Sequence, residues 1–198
     1  MRLVNQLALA SLLVLVASTA LASSKVVEKL RQSMIDNDVG AFGQLLDSGA
    51  IDVSDFASSP DLYEVACVAT YKGASEFLDR LLEYGLDPST EDPERSPYRF
   101  SLLVCAERAN GVEAFVKLVD AGARTDIVLC NPCTTRTPET LVERVLGHPE
   151  MFVKITDQRH LTASEMSNIG RNIGNSYYRG TYNDQPLNEF YADFLRER

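Results

Sequence analysis

The grouping best suited to chemistry in this chain is Cys130-Asn131-Pro132-Cys133. Two cysteines separated by two residues exchange disulfides when a lowered pKa keeps one of them as thiolate. That chemistry needs a strand–helix setting with the first cysteine at a helix start. Here the pair follows Thr125 to Leu129, a stretch that reads as loop. The expectation is therefore a structural disulfide between Cys130 and Cys133, with a thiol-disulfide oxidoreductase as the enzymatic rival. The other two of the four cysteines, Cys67 and Cys105, fall on apolar helical stretches, where buried thiols and a mutual bond compete. Core placement is the default for such cysteines.

The remaining catalytic vocabulary is sparse. His148 and His160 are the only histidines and do not supply a second ligand pair for zinc. His160 and Cys133 form a nucleophile–base pairing in principle only. Gly170-Arg171-Asn172-Ile173-Gly174 lacks the Lys-Ser/Thr of a phosphate loop, and no Gly-x-Ser-x-Gly elbow occurs. No catalytic residue, cofactor site or metal site is expected, and the chain is read as not an enzyme.

The elements around these residues begin with a targeting segment. Arg2 precedes an apolar run from Leu7 to Ala17, and Ala20-Leu21-Ala22 supplies small residues for cleavage. The run is shorter than the roughly 20 apolar residues that a spanning helix requires. The expectation is a signal peptide over residues 1–22 and no stable membrane insertion after its removal. The formal net charge is −9, and the segment removed carries one positive charge and no acid. An acidic surface repels phosphate backbones, which argues against nucleic acid and suits a basic protein partner.

A periodic pattern follows. Leu46-Asp47-Ser48-Gly49-Ala50, Leu82-Glu83-Tyr84-Gly85-Leu86 and Val119-Asp120-Ala121-Gly122-Ala123 share one plan, with glycines 36 and 37 residues apart. Such self-similarity signals stacked repeats. In the middle unit, Val65 to Lys72 is expected as a first helix, Gly73 as a turn, and Ser75 to Tyr84 as a second helix with Phe77, Leu78, Leu81 and Leu82 on one stripe. Gly85 then stops the helix. The third unit places Leu102, Leu103, Cys105 and Ala106 before Asn110-Gly111, and Ala114, Phe115, Leu118 and Val119 before Gly122. The first places Val27, Leu30, Met34 and Ile35 before Asn37-Asp38, and Phe42, Leu45 and Leu46 before Gly49. Neither helix of a pair can bury its apolar face alone, so neighbouring pairs must stack.

The stretch Val68-Ala69-Thr70-Tyr71-Lys72-Gly73, continuing through Phe77 to Pro88, resembles the ankyrin repeat family in its first helix, central glycine, leucine pair and Gly-x-Asp ending. The family's Thr-Pro-Leu-His start is missing from the first three units and echoed by Thr137-Pro138-Glu139-Thr140-Leu141, with a Gly147-His148-Pro149-Glu150 turn behind it. The resemblance implies an all-α, ankyrin-like solenoid of three to four helix-turn-helix repeats over residues 23–155. It also implies protein partners bound on loops and inner helices. The loop from Asp87 to Pro97 carries Glu91, Asp92 and Arg95, with Tyr98 and Arg99 behind it, the residue types that anchor interfaces.

Residues 156–198 are expected to form a C-terminal helical cap. Thr162 and Glu165 form a capping box ahead of a helix from Ala163 to Ile173, and Pro186 opens a last helix with Leu187, Phe190, Tyr191, Phe194 and Leu195. Between them a polar, tyrosine-rich loop holds Tyr177, Tyr178 and Arg179 as further candidate contacts. The functional expectation is an exported, periplasmic, non-catalytic protein-binding module. One version is an immunity protein against a secreted antibacterial effector; another is a scaffold or stress-protection partner of a periplasmic enzyme.

Overall fold

A computed structural model describes residues 24–94, 100–129, 140–173 and 180–197. Residues 24–35 form α1, followed by α2 (Val39–Asp47), α3 (Pro60–Ala69), α4 (Ser75–Tyr84), α5 (Leu102–Arg108), α6 (Val112–Asp120), α7 (Leu141–Arg144), α8 (Pro149–Gln158), α9 (Ala163–Asn172) and α10 (Leu187–Arg196). Among the described residues the chain is mostly helical, and the one sheet is a small hairpin of β1 (Thr181–Tyr182) and β2 (Gln185–Pro186).

The helices come as pairs because left-handed residues recur in two rows. Asn37, Gly73 and Asn110 lie between the helices of a pair at φ 55°, 88° and 53°. They are 36 and 37 residues apart, the same spacing as the glycines that follow the second helices. Gly85 and Gly122 stand at φ 104° and 96°, conformations only glycine adopts at little cost. Each lets the next amide reach back into the helix, with Leu86 N donating to Leu81 O and Ala123 N to Leu118 O at 3.0 and 2.9 Å.

Stacking then buries the apolar stripes. α2 packs on α4, α4 on α6 and α6 on α8, while α3 packs on α5. Phe42 and Phe77 meet edge to face at 5.2 Å, and Leu78, Phe115, Leu118, Phe152 and Ile155 continue the buried line. Cations at equivalent positions link the second helices: Arg80 pairs with Asp47, Lys117 with Asp79, and Lys154 with Asp120 at 2.5 Å. Exposed pairs of this kind contribute about 0–1 kcal/mol each, so the apolar stripes carry most of the stacking energy.

Several expectations change. The first helix of the second unit runs from Pro60 to Ala69 instead of Val65 to Lys72, because the Ser59 hydroxyl caps it and Pro60 suits its first turn. A 3₁₀ turn, Val53–Ala57, fills the preceding loop, closed by a capping box between Asp52 and Asp55 and buried through Phe56. Ile35, placed on the apolar stripe of α1 by its spacing, is 76% exposed. In the fourth unit α7 is only one turn, extended by a 3₁₀ segment at Val145–Gly147. The expected Gly147-His148-Pro149 turn does start α8.

The chain's last elements close the end of the stack. Thr162 and Glu165 make the expected capping box on α9. On α10, Tyr191 donates from its hydroxyl to Leu146 O at 2.7 Å, and its ring, with those of Phe190 and Phe194, surrounds Phe152. The hairpin forms within the stretch that the sequence marks as loop. Asn183 and Asp184, both with positive φ, form its two-residue turn, the geometry that matches strand twist.

One close approach is testable. A Cβ on Gly111 would sit against the Thr70 carbonyl oxygen, far inside van der Waals distance, and that oxygen belongs to backbone. Gly111→Ala is expected to destabilise the chain by about 1–3 kcal/mol, as overpacking does. Gly147→Ala, where the added carbon meets nothing within 4 Å, should change stability by less than about 0.5 kcal/mol. Urea-denaturation midpoints of the two variants check this; equal midpoints would refute it.

Candidate partner-binding surface

Two loops leave the stack after Gly85 and Gly122, and each is pinned at its root. In the first, Ser89 N and Thr90 Oγ1 donate to the side chain and backbone of Asp87 at 2.8 and 2.7 Å, which turns the chain outward. Glu91 and Ser101 then form an antiparallel bridge, with Asp92 N donating to Phe100 O at 2.8 Å and Leu102 N to Thr90 O at 3.2 Å. Across the third-unit loop, Val128 bridges Thr140, and Leu141 N donates to Ile127 O at 3.0 Å. Glu91 and Val128 are 37 residues apart, so both roots use the same repeat position. Arg124 N donates to Ser89 Oγ at 3.0 Å and ties the two loops together.

The surroundings of these roots are acidic. Burial, then Asp52, Asp47 and Asp55, push the Tyr84 phenol above its usual range, and its hydroxyl donates to Ile51 O at 2.5 Å. Ser54 hydrogen bonds hold Asp52 below the usual carboxylate value, and Arg124 does the same for Asp126.

Of the expected contact residues, Glu91 and Asp92 lie on the bridged root of the first loop, half-buried. Arg95, Tyr98 and Arg99 belong between Glu94 and Phe100, outside the described residues. Tyr177, Tyr178 and Arg179 are likewise outside them, as are Cys130 and Cys133 with the disulfide expected between them. The loop roots were not foreseen, because single bridges leave no alternating hydrophobic pattern.

The disulfide that the structure describes joins the other two cysteines. Cys67 on α3 and Cys105 on α5 are bonded, with Cα atoms 5.5 Å apart, so of the two alternatives the sequence leaves open the mutual bond is the one formed. The cysteines are 38 residues apart and the linking residues Gly73 and Asn110 are 37 apart, so Cys105 stands one position past the repeat equivalent of Cys67. Equivalent positions on stacked helices point the same way, whereas contact needs opposite faces, and one residue rotates a helical side chain by about 100°. The Tyr63 hydroxyl donates to Phe100 O at 2.7 Å and lies 3.4 Å from Cys105 Sγ, so the bond sits beside the first loop's root. Arg108 covers the Phe100 ring at 4.1 Å.

Among the described residues no cluster of three or more His, Cys, Asp or Glu is arranged to hold a metal, and no helix is long and apolar enough to cross a membrane. The described residues form a mostly helical protein of successive helix pairs, with bridged loop roots after the second and third pairs. No family model, curated protein or solved structure matches the chain.

Proposed function

We propose that this chain is an exported, periplasmic, ankyrin-like solenoid that binds another protein and carries out no chemistry of its own. The observation that supports this most is the pair of neighbouring loops rooted at the same repeat position by Glu91–Ser101 and Val128–Thr140 and joined through Ser89 and Arg124. Rigid roots limit the conformational entropy lost when loop tips dock, which favours affinity. The net charge of −9 suits a basic partner. A secreted antibacterial effector masked by an immunity protein fits this description, as does a periplasmic enzyme held by a scaffold.

The test is capture from a periplasmic extract with the chain from Ser23 onward as bait, beside the Tyr98→Ala/Arg99→Ala variant. The expected result is a partner retained by the parent chain and lost from the variant, with retention falling as salt is raised. Failure to recover any partner would overturn the reading. Cys133→Ser is expected to leave both capture and in-cell function intact. Loss of function with capture preserved would favour disulfide exchange through Cys130 and Cys133 instead.

A further inference from the structure

Ile35 is one of the few large apolar side chains that the described residues leave in water. It borders a cleft of about 290 Å³ between α1 and α3, whose apolar lining is Met34, Ile35, Val65 and Val68. The cleft's polar rim is Arg31 and Glu64, and Arg31 donates to Asp61 and Glu64 at 2.8 and 2.6 Å. Two carboxylates thus share one guanidinium, and their side chains remain 67% and 64% exposed. The rim carries an excess negative charge that solvent, or a partner's cation, can reach.

The surface also follows the repeat. Tyr71 and Arg108 occupy the positions equivalent to Ile35 in the next two units, and both are exposed. An isoleucine, a tyrosine and an arginine therefore recur at one repeat position at the ends of the first helices, and the isoleucine borders the apolar cleft with its acidic edge. Isolated exposed apolar residues are ordinary, but a contiguous patch with a polar rim marks an interaction site.

We infer that this cleft between α1 and α3 is the docking site for a segment of a partner protein that carries an apolar anchor flanked by lysine or arginine. The inference rests on the protein-binding reading above and names where and what the partner offers. The cleft takes the anchor, and Asp61 and Glu64 receive the flanking cations. A second copy of the chain is a poor occupant, since two molecules of net charge −9 repel. An acidic or phosphate-bearing ligand meets the same repulsion.

The experiment titrates methyl-labelled chain, residues 23–198, with a short leucine–lysine peptide of helical spacing, and separately with a leucine–glutamate peptide of the same apolar spacing. The methyl signals of Met34, Ile35, Val65 and Val68 are expected to shift with the lysine peptide and to stay fixed with the glutamate peptide. Ile35→Asp and Glu64→Lys should each weaken binding by about 10-fold. Glu150→Lys, exposed on α8, should leave it unchanged. Ile35 is exposed enough for its variant to fold, and circular dichroism verifies this. Shifts spread over the acidic surface, or equal weakening by Glu150→Lys and Glu64→Lys, would reduce the binding to diffuse charge attraction and overturn the proposal. If a partner captured from extract is held equally by the parent and by Ile35→Asp, this cleft is excluded while the protein-binding reading stands. If the peptide maps to the cleft but extract yields no partner, the cleft stands and that reading falls.

Discussion

Replacing Cys67 and Cys105 together by alanine is expected to lower the free energy of unfolding by about 4 kcal/mol. The bond closes a separation of 38 residues, and the loss of unfolded-state entropy from a loop of that size gives this magnitude. A typical domain is stable by only about 5–15 kcal/mol, so the change is a large share of the total. Alanine is chosen because Cys105 is 5% exposed, and serine there would bury a hydroxyl. The effect acts chiefly on the unfolded chain, so the folded variant should keep its helix content while its urea midpoint falls. Exchange protection should fall most at Leu102 N and Asp92 N, which close the loop root next to the Tyr63 hydroxyl. A midpoint within error of the parent, or non-reducing peptide mapping without a Cys67–Cys105 linkage, would refute this.

That bond also marks where sequence reasoning about the fold succeeded and where it stopped. The second helices were legible because amphipathic spacing and a terminal glycine act within one helix: Ser75 to Tyr84 was expected and is observed as α4. The α9 capping box was legible for the same reason, since Thr162 and Glu165 are three residues apart. The first helices were harder to delimit. A serine hydroxyl and a proline set the start of α3, and neither contributes to an apolar period. Ile35 shows the limit from the other side. Its spacing assigns it to the core stripe, but it is the last residue of α1, on the lip of an open cleft towards α3, and stays 76% exposed. The loop roots and the Cys67–Cys105 bond are contacts between units, so their partners lie far apart in sequence and depend on how helices stack.

Glu165→Ala is expected to cost about 3–5 kcal/mol, the range for breaking a buried ion pair from one side. Arg159 donates to both carboxylate oxygens, from Nη2 at 2.7 Å and Nη1 at 3.0 Å, and the carboxylate side chain is 7% exposed. The same guanidinium donates to Thr125 Oγ1 at 3.2 Å and to Thr125 O at 3.3 Å. Glu165 therefore holds the group that ties the cap to the loop after Gly122, besides accepting from Thr162 N at 2.8 Å to start α9. Removing it strands a positive charge that is mostly shielded from water. The double variant Arg159→Met/Glu165→Met should be less destabilised than Glu165→Ala, because no unpaired charge remains. Acidity supplies an independent check. Burial alone would raise the Glu165 carboxyl, but hydrogen bonds from Arg159 and Thr162 prevail and hold it below its ordinary value. A carboxyl lowered in the folded state stabilises the fold above its unfolded pKa, about 4.3 for glutamate, and that contribution is lost as pH falls through the lower, folded value. The difference in unfolding free energy between the parent and Glu165→Gln should therefore be full at about pH 7 and shrink below about pH 4. Urea titrations of both proteins at the two pH values measure it, and a gap independent of pH would show that the Arg159–Glu165 charge pair contributes nothing to the closure of the cap.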